Sequence, residues 1–398
     1  MRYRTLGKTG IRVSALGFGA MRLPMDEVGG RPVVREDESL RIIRRAFDLG
    51  VNYIDTGHGY GWGRSQPIVG RAVADRRDRT CVSTKSPLWL IRETADYRRF
   101  LDEQLRVMGL EYVDIYYIHG LSWKTYEGKV RPLGLLREAE RARRDGLIRH
   151  VGFSVHDRPE NIRRLVDEGW AEAVLLQYNL LDQRSERVIG RARRRGMGVV
   201  VMGPVGGGRL GIASPRLRRL APRGVKTTAE LALRFVLANR SVSCALSGMG
   251  SMAMVEENAA IASRPAALLP QELRRLKEAM AEVRRLADLY CTGCNYCMPC
   301  PAGVRISEHF HLVNLKRVYG LGAYAHQAFE RMKPQARADR CTGCGQCEPK
   351  CPQGIPIRRQ LREAVAILRD GRPEAPAKRR RTGRRAAPVS KRRAKRRV

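Results

Sequence analysis

Ile54-Asp55-Thr56-Gly57-His58-Gly59-Tyr60 joins an apolar run to a glycine-rich loop. Val51, Tyr53 and Ile54 are β-branched or aromatic and read as a strand, and an acid stands where that run gives way to glycine. A tyrosine follows five residues after the acid. An acid at a strand end with a phenol in the next loop is how a closed barrel of alternating strands and helices presents chemistry at its C-terminal face.

Outward from this stretch, strand-like and helix-like runs alternate with short polar connections. Upstream, Leu6-Gly7-Lys8-Thr9-Gly10 suggests a hairpin turn, and residues 15–21 read as a first barrel strand. Residues 36–49 carry Leu40, Ile43, Ala46 and Phe47 as a 3,4-spaced stripe, which predicts a helix. Further strands are expected at 53–56, 81–85, 113–119, 151–155, 174–178, 199–202 and 244–247, with helices such as 97–107, 135–144 and 228–237 between them. Eight such units in about 260 residues predict a (β/α)₈ TIM barrel of the α/β class. An open doubly wound sheet is the alternative, but no Gly-x-Gly-x-x-Gly follows the first strand.

The barrel does not use the whole chain of 398 residues. A helix over 271–289 leads out of it, a mostly helical insert is expected at 307–332, and an amphipathic helix at 357–368. The expected units are 1–288 for the barrel, 289–370 for a small, mostly helical domain and 371–398 for a tail. The tail holds +12 of the formal charge of +36 and almost no apolar bulk, so it is expected to be disordered. Lys378-Arg379-Arg380-Arg381 and the basic run 391–397 could touch nucleic-acid phosphates non-specifically, although no aromatic residue is present to stack on bases. A hydrophobic fraction of 43% is globular, and no apolar run reaches membrane-spanning length. The N-terminus lacks a signal-peptide core, so a cytoplasmic location without membrane contact is expected.

Eight of ten cysteines fall in two runs, Cys291-x₂-Cys294-x₂-Cys297-x₂-Cys300-Pro301 and Cys341-x₂-Cys344-x₂-Cys347-x₃-Cys351-Pro352. Without an export signal such runs read as metal ligands. Three cysteines at successive two-residue gaps wrap three corners of an iron–sulfur cube, and a fourth before proline supplies another. The second run fits the two-cluster ferredoxin spacing, in which each fourth cysteine serves the other cluster. Two [4Fe-4S] clusters are expected, one on Cys291, Cys294, Cys297 and Cys351, the other on Cys341, Cys344, Cys347 and Cys300. The first run's last gap is one residue short, and zinc is the alternative. Cys81 and Cys244 stand alone in apolar runs and read as buried core.

Asp55, Tyr60, Lys85 and His119 gather at the ends of three successive strands. Their types are complementary. A lysine beside a phenol is expected to lower its pKa, an acid holds the lysine, and a histidine orients a carbonyl. Together they make a proton donor for an aldehyde or ketone receiving hydride.

At these residues the chain resembles the aldo/keto reductase family, from Arg4-Thr5-Leu6-Gly7-Lys8-Thr9-Gly10 through Asn52-Tyr53-Ile54-Asp55-Thr56 to Glu256-Glu257-Asn258. A subgroup of that family resembles the barrel-plus-ferredoxin layout. The resemblance implies that Asp55, Tyr60, Lys85 and His119 are the family's catalytic tetrad, and that NAD(P)H lies across the barrel mouth. It implies Ser154 and Gln177 at the carboxamide, Gly203, Pro204 and Gly206 at the pyrophosphate, and Ser247, Gly248, Glu257 and Asn258 at the adenosine half. Three positions depart from the family pattern: Val155 replaces an asparagine, Met249-Gly250-Ser251 lacks the basic residues that grip a 2′-phosphate, and Gln66 replaces a glutamate. The expected function is reduction of a small carbonyl, or its reverse. Electron transfer to a redox partner through the clusters, and nucleic-acid association through the tail, are the alternatives.

Overall fold

The computed structural model describes residues 1–29, 31–211, 215–264, 268–285, 291, 293–319 and 322–370. Eight parallel strands close into a barrel in the order in which the chain supplies them. They are β1 (Leu16–Gly19), β2 (Tyr53–Asp55), β3 (Cys81–Ser86), β4 (Val113–Leu121), β5 (Ile148–Val155), β6 (Ala173–Gln177), β7 (Gly198–Met202) and β8 (Cys244–Ser247). Closure is direct, since Leu246 of β8 pairs with Gly17 of β1, and Phe18 of β1 with Ile54 of β2. This excludes the open sheet.

The principal helix after each strand is α1 (Glu36–Asp48), α2 (Ser65–Val73), α3 (Ala95–Met108), α4 (Leu135–Arg144), α5 (Pro159–Asp167), α6 (Glu186–Arg194), α7 (Thr228–Ala238) and α8 (Met252–Ser263). Each buries a stripe against the sheet; in α1 this is Ile42, Ile43, Ala46 and Phe47. Before β1, an antiparallel pair, Tyr3–Thr5 with Arg12–Ser14, covers the barrel floor as the early turn suggested. The Arg4 guanidinium donates to the carbonyls of Leu237, Asn239 and Val242, satisfying orphan acceptors at the end of α7. A second hairpin, Met25–Val28 with Arg31–Val34, was not signalled by the sequence because its first strand is polar and mostly exposed.

Alternation along the strands explains where the chemistry lies. Tyr53, Cys81, Ile115, Tyr117 and Cys244 point into the barrel, where Leu6 and Val13 join them from below. Ile54, Val82, Tyr116 and Ile118 belong to the shell packed against the helices. In the inward phase, two residues further on, stand Asp55, Ser83 and His119, with Lys85 two beyond Ser83. Apolar and aromatic inward residues fill the floor, and the same phase carries polar residues at the mouth.

Beyond the barrel, α9 (Pro270–Arg285) leads toward the first cysteine run, and α10 (Ile306–Tyr319) and α11 (Gly322–Arg331) form the helical insert. After the second run, α12 (Ile357–Arg369) buries Ile357, Gln360, Leu361, Ala364 and Leu368 on one stripe and packs on α10 and α11. His326 donates from Nδ1 to Leu368 O at 2.8 Å, and Lys316 donates to Ile367 O at 2.9 Å, fastening both helices to the end of α12. The tail expected to be disordered, 371–398, lies outside the described residues.

Candidate active site

Asp55 is 4% exposed, Lys85 1% and His119 5%. Lys85 Nζ donates to Asp55 Oδ2 at 2.6 Å and to Thr56 O at 2.5 Å, while Ser83 donates to Asp55 Oδ1 at 2.7 Å. Strand register makes this pairing available, because Asp55 stands beside Ser83 across the β2–β3 ladder and Lys85 follows two residues later. Lys85 Nζ lies 4.6 Å from the centroid of the Tyr60 ring. The rings of Tyr60 and His119 meet edge to face at 5.8 Å. All four expected residues are therefore brought together.

Behind the lysine runs a buried network. Gln66 donates to Thr84 Oγ1 at 3.0 Å, Thr84 to Gln104 Oε1 at 3.0 Å, and Gln104 to Lys85 O at 3.1 Å. Gln66, the glutamine in place of a glutamate, begins this chain. Sequence reading missed Thr84, Gln104 and Ser83, whose roles depend on register between strands.

One expectation about the phenol is not met. Burial, and then Asp55, push the Tyr60 hydroxyl above its ordinary pKa instead of below it. The physical reason is that burial penalises the charged tyrosinate, and the nearby Asp55 carboxylate penalises it further. Tyr60 is therefore held protonated. Burial first, then the charges of Lys85, His156 and His58, push His119 well below its ordinary pKa, so its ring is neutral. Its Nδ1 is buried without a hydrogen-bond partner. A lone pair there is less costly than an unpaired N–H, which puts the single proton on Nε2, facing the mouth.

A continuous groove runs from these residues across the barrel mouth. Its walls include Asp55, Tyr60, Lys85 and His119, then Ser154 and Gln177, then Gly203 and Pro204, then Ser247, Gly248, Glu257 and Asn258. Gly206 lies in the same turn as Gly203, whose carbonyl accepts its N–H at 2.9 Å. Ser154 Oγ accepts from the Gly120 N–H at 2.9 Å. Gly203 has φ +63°, and a Cβ there would stand 3.0 Å from Gln177 Nε2, so glycine is required for both backbone and space. At the far end Asn258 donates to Ser247 Oγ at 3.2 Å, Glu257 accepts from Thr227 at 2.9 Å, and Ser251 caps α8.

The cysteines sort into two groups, each mixing the two runs. Cys297, Cys300, Cys341, Cys344 and Cys347 line one hollow. Burial first, then the thiols of Cys291, Cys294 and Cys351, push the Cys297 thiol up to about 12. Cys351 thus stands with the first three cysteines and Cys300 with the second three. Among the described residues no three His, Cys, Asp or Glu side chains are drawn together as around a single metal ion.

The cysteine-bearing domain sits on the barrel mouth. Arg22, just after β1, reaches Gly293 O at 3.5 Å. Arg184 donates to Gln353 Oε1 at 3.0 Å, and Gln353 Nε2 lies 3.5 Å from His156 Nδ1. Cys294 and Tyr296 complete the groove wall, with Tyr296 hydroxyl 3.5 Å from His119 Nε2. Sequence reading missed this contact, which spans 177 positions; the only local signal was a bulky aromatic between two ligand-spaced cysteines.

Comparison with known proteins agrees with this arrangement. Residues 15–281 match the model of the aldo/keto reductase family, and residues 290–356 that of a 4Fe-4S dicluster domain. L-galactose dehydrogenase of Arabidopsis thaliana is 30% identical over 70% of this chain and 94% of its own. L-glyceraldehyde 3-phosphate reductase of Escherichia coli is 31% identical over 53% of this chain and 63% of its own. The holo form of an aldo-keto reductase from Bacillus halodurans superposes with a TM-score of 0.60 at 26% identity, covering 70% of this chain and 96% of that one. The chain is an oxidoreductase that belongs to the aldo/keto reductase family and carries a C-terminal 4Fe-4S ferredoxin-type domain.

Proposed function

We propose that the chain moves hydride between NAD(P)H and the carbonyl carbon of a small aldehyde or ketone, or the reverse, with Tyr60 as general acid. One observation carries this reading: the tetrad and, Gly206 apart, the residues expected to hold the dinucleotide line the same groove. The bound nicotinamide supplies or accepts the hydride. Ser154 and Gln177 would hold its carboxamide, the turn of Gly203, Pro204 and Gly206 would approach the pyrophosphate with backbone N–H groups, and Ser247, Gly248, Glu257 and Asn258 would face the adenosine half. Tyr60, kept protonated by its surroundings, gives its proton to the carbonyl oxygen. His119 donates from Nε2 to the same oxygen and fixes its direction. Asp55 keeps Lys85 in place beside the phenol, where the ammonium stabilises the tyrosinate as the proton leaves.

The relatives named for L-galactose and L-glyceraldehyde 3-phosphate support the class of small carbonyl or alcohol substrates. We assign two [4Fe-4S] clusters, one to Cys291, Cys294, Cys297 and Cys351, the other to Cys341, Cys344, Cys347 and Cys300. The grouping of thiols from both runs around two places supports that assignment. Partly exposed thiols such as Cys344 suit a reducing cytoplasm. Tyr60→Phe tests the reading. Carbonyl reduction should fall by about 10²- to 10⁴-fold, with cofactor affinity and iron content unchanged. Retained reduction would remove Tyr60 from the acid role.

Electron transfer between the barrel site and a redox partner is a second reading, favoured by Cys294 lying in the wall of the groove. Nicotinamide moves two electrons as hydride and a cluster moves one, so direct coupling is disfavoured. Rapid mixing of anaerobic protein with NADH or NADPH decides between them. Bleaching of the iron–sulfur absorbance at a catalytic rate would favour the second reading.

A further inference from the structure

Tyr296 belongs to neither the barrel nor the set of cluster ligands, yet its hydroxyl points at the nitrogen expected to hold the carbonyl. It sits at the tip of a turn in which Met298 N–H donates to Asn295 O at 2.9 Å. Asn295 adopts φ +63°, a left-handed conformation that asparagine tolerates better than most residues. Ser307 of α10 fixes that asparagine by donating to its Oδ1 at 2.5 Å. From this turn the phenol reaches across to the barrel, edge-on to His156 at 6.4 Å and with its hydroxyl 3.5 Å from His119 Nε2. It remains 38% exposed because it faces the open groove. The tip is pinned from both sides, by Ser307 within its own domain and by the Arg22 contact to Gly293 across the interface.

Resting on the carbonyl-reductase reading above, we propose that Tyr296 is a specificity-determining residue that bonds a second oxygen of the substrate, next to the reacting carbonyl. The iron–sulfur domain thereby selects α-oxygenated carbonyls, such as α-hydroxyketones, over plain ones. Tyr60 and His119 already supply two donors for the carbonyl oxygen. An oxygen on the neighbouring carbon, syn to the carbonyl, lies about 2.8 Å from it, a separation close to one hydrogen bond. A hydroxyl 3.5 Å from Nε2 can reach that second oxygen while Nε2 holds the first. As a hydroxyl it can donate to a keto oxygen or accept from an alcohol, so both oxidation states of the neighbouring carbon fit.

Hydroxyacetone and acetone are the probes, because they differ by this one oxygen. Hydroxyacetone is intrinsically the more reactive, so the informative quantity is how the ratio of their kcat/KM values changes on substitution. In the anaerobically purified full chain, Tyr296→Phe should lower that ratio by about tenfold, the worth of one hydrogen bond. Cofactor affinity, iron content and visible absorbance should stay within about twofold of wild type, a tolerance set by the spread of neutral surface changes. An unchanged ratio in both Tyr296→Phe and Tyr296→Ala would overturn the proposal. The tetrad reading fails separately: Tyr60→Phe should lower reduction of both probes by about 10²- to 10⁴-fold whatever Tyr296 does. A wild-type chain that reduces neither probe would overturn the carbonyl reading and this one with it.

Discussion

The Lys85 ammonium donates to the Asp55 carboxylate at 2.6 Å, with side-chain exposures of 2% and 6%. An ion pair so enclosed stabilises little in net terms, because desolvation offsets attraction, but removing one partner strands the other. Asp55→Asn should destabilise the fold by about 3 kcal/mol. Adding Lys85→Met should restore most of that stability while leaving the enzyme inactive. Denaturation of the two single variants and the double variant would check this. Additive losses would mean the two charges do not depend on each other.

The network behind Lys85 predicts graded effects. Gln104→Leu leaves the Thr84 hydroxyl and the Lys85 carbonyl without their buried partners, and should cost about 2–3 kcal/mol. Gln66→Leu removes a donor at the end of the chain, and should cost about 1 kcal/mol. Thermal unfolding of the two variants should rank them in that order, with Gln104→Leu also lowering kcat because β3 carries Lys85.

A buried histidine and a half-buried one set an acid limit. His119 lies well below its ordinary pKa and His156 at about 4, both chiefly through burial. In the unfolded chain these rings take up protons near pH 6.5, before the folded ones do. Below that pH the unfolded state therefore binds more protons, and stability falls as pH falls, by about 1.4 kcal/mol per unit per histidine. The contribution is complete above pH 6.5 and is lost progressively toward pH 4. Melting temperature should fall from pH 7.5 to 5, and His156→Gln should flatten that dependence. An equally steep fall in the variant would shift the cause to carboxylates.

The groove also predicts a cofactor defect with intact chemistry. Gly203→Ala puts a Cβ 3.0 Å from Gln177 Nε2 at a backbone φ of +63°. The strain, about 1–2 kcal/mol, would displace Gln177 and the Gly203 turn, the residues proposed to meet the carboxamide and the pyrophosphate. Nicotinamide affinity should fall by about tenfold, the equivalent of that strain, as read by fluorescence titration. Since kcat at saturating cofactor depends on the tetrad, it should change little.

The barrel was legible because its signal is local. An apolar, strand-like run recurs eight times between helical stretches, and inward alternation lines Asp55, Lys85 and His119 up at one end of their strands without any knowledge of pairing. The cysteine spacing is likewise written within a few residues. What could not be read depends on distance in the chain. Ser83 beside Asp55 needs strand register, Gln104 needs the packing of α3 on β3, and Tyr296 over His119 needs the docking of one domain on another. The pKa of Tyr60 escaped for the same reason: the residue types placed a lysine beside a phenol, but only the folded structure shows the phenol withdrawn from water with Asp55 close by.

That docking leads to the last prediction, which concerns the fourth cysteine of each run. In the proposed ligand sets Cys351 joins Cys291, Cys294 and Cys297, whereas Cys300 joins Cys341, Cys344 and Cys347, a division supported by the influence of Cys291, Cys294 and Cys351 on the Cys297 thiol. Tyr296 lies between Cys294 and Cys297 in the chain, and Cys294 of the first set lines the groove. Cys351→Ser should loosen that group although it lies more than fifty residues further along the chain. It should lower the hydroxyacetone-to-acetone ratio much as Tyr296→Phe does. Cys300→Ser should reduce iron content comparably and leave the ratio near wild type. Iron analysis with the two-probe assay would decide. If Cys300→Ser alone disturbed the ratio, each cysteine run would hold its own cluster, and the crossed ligand sets would be wrong.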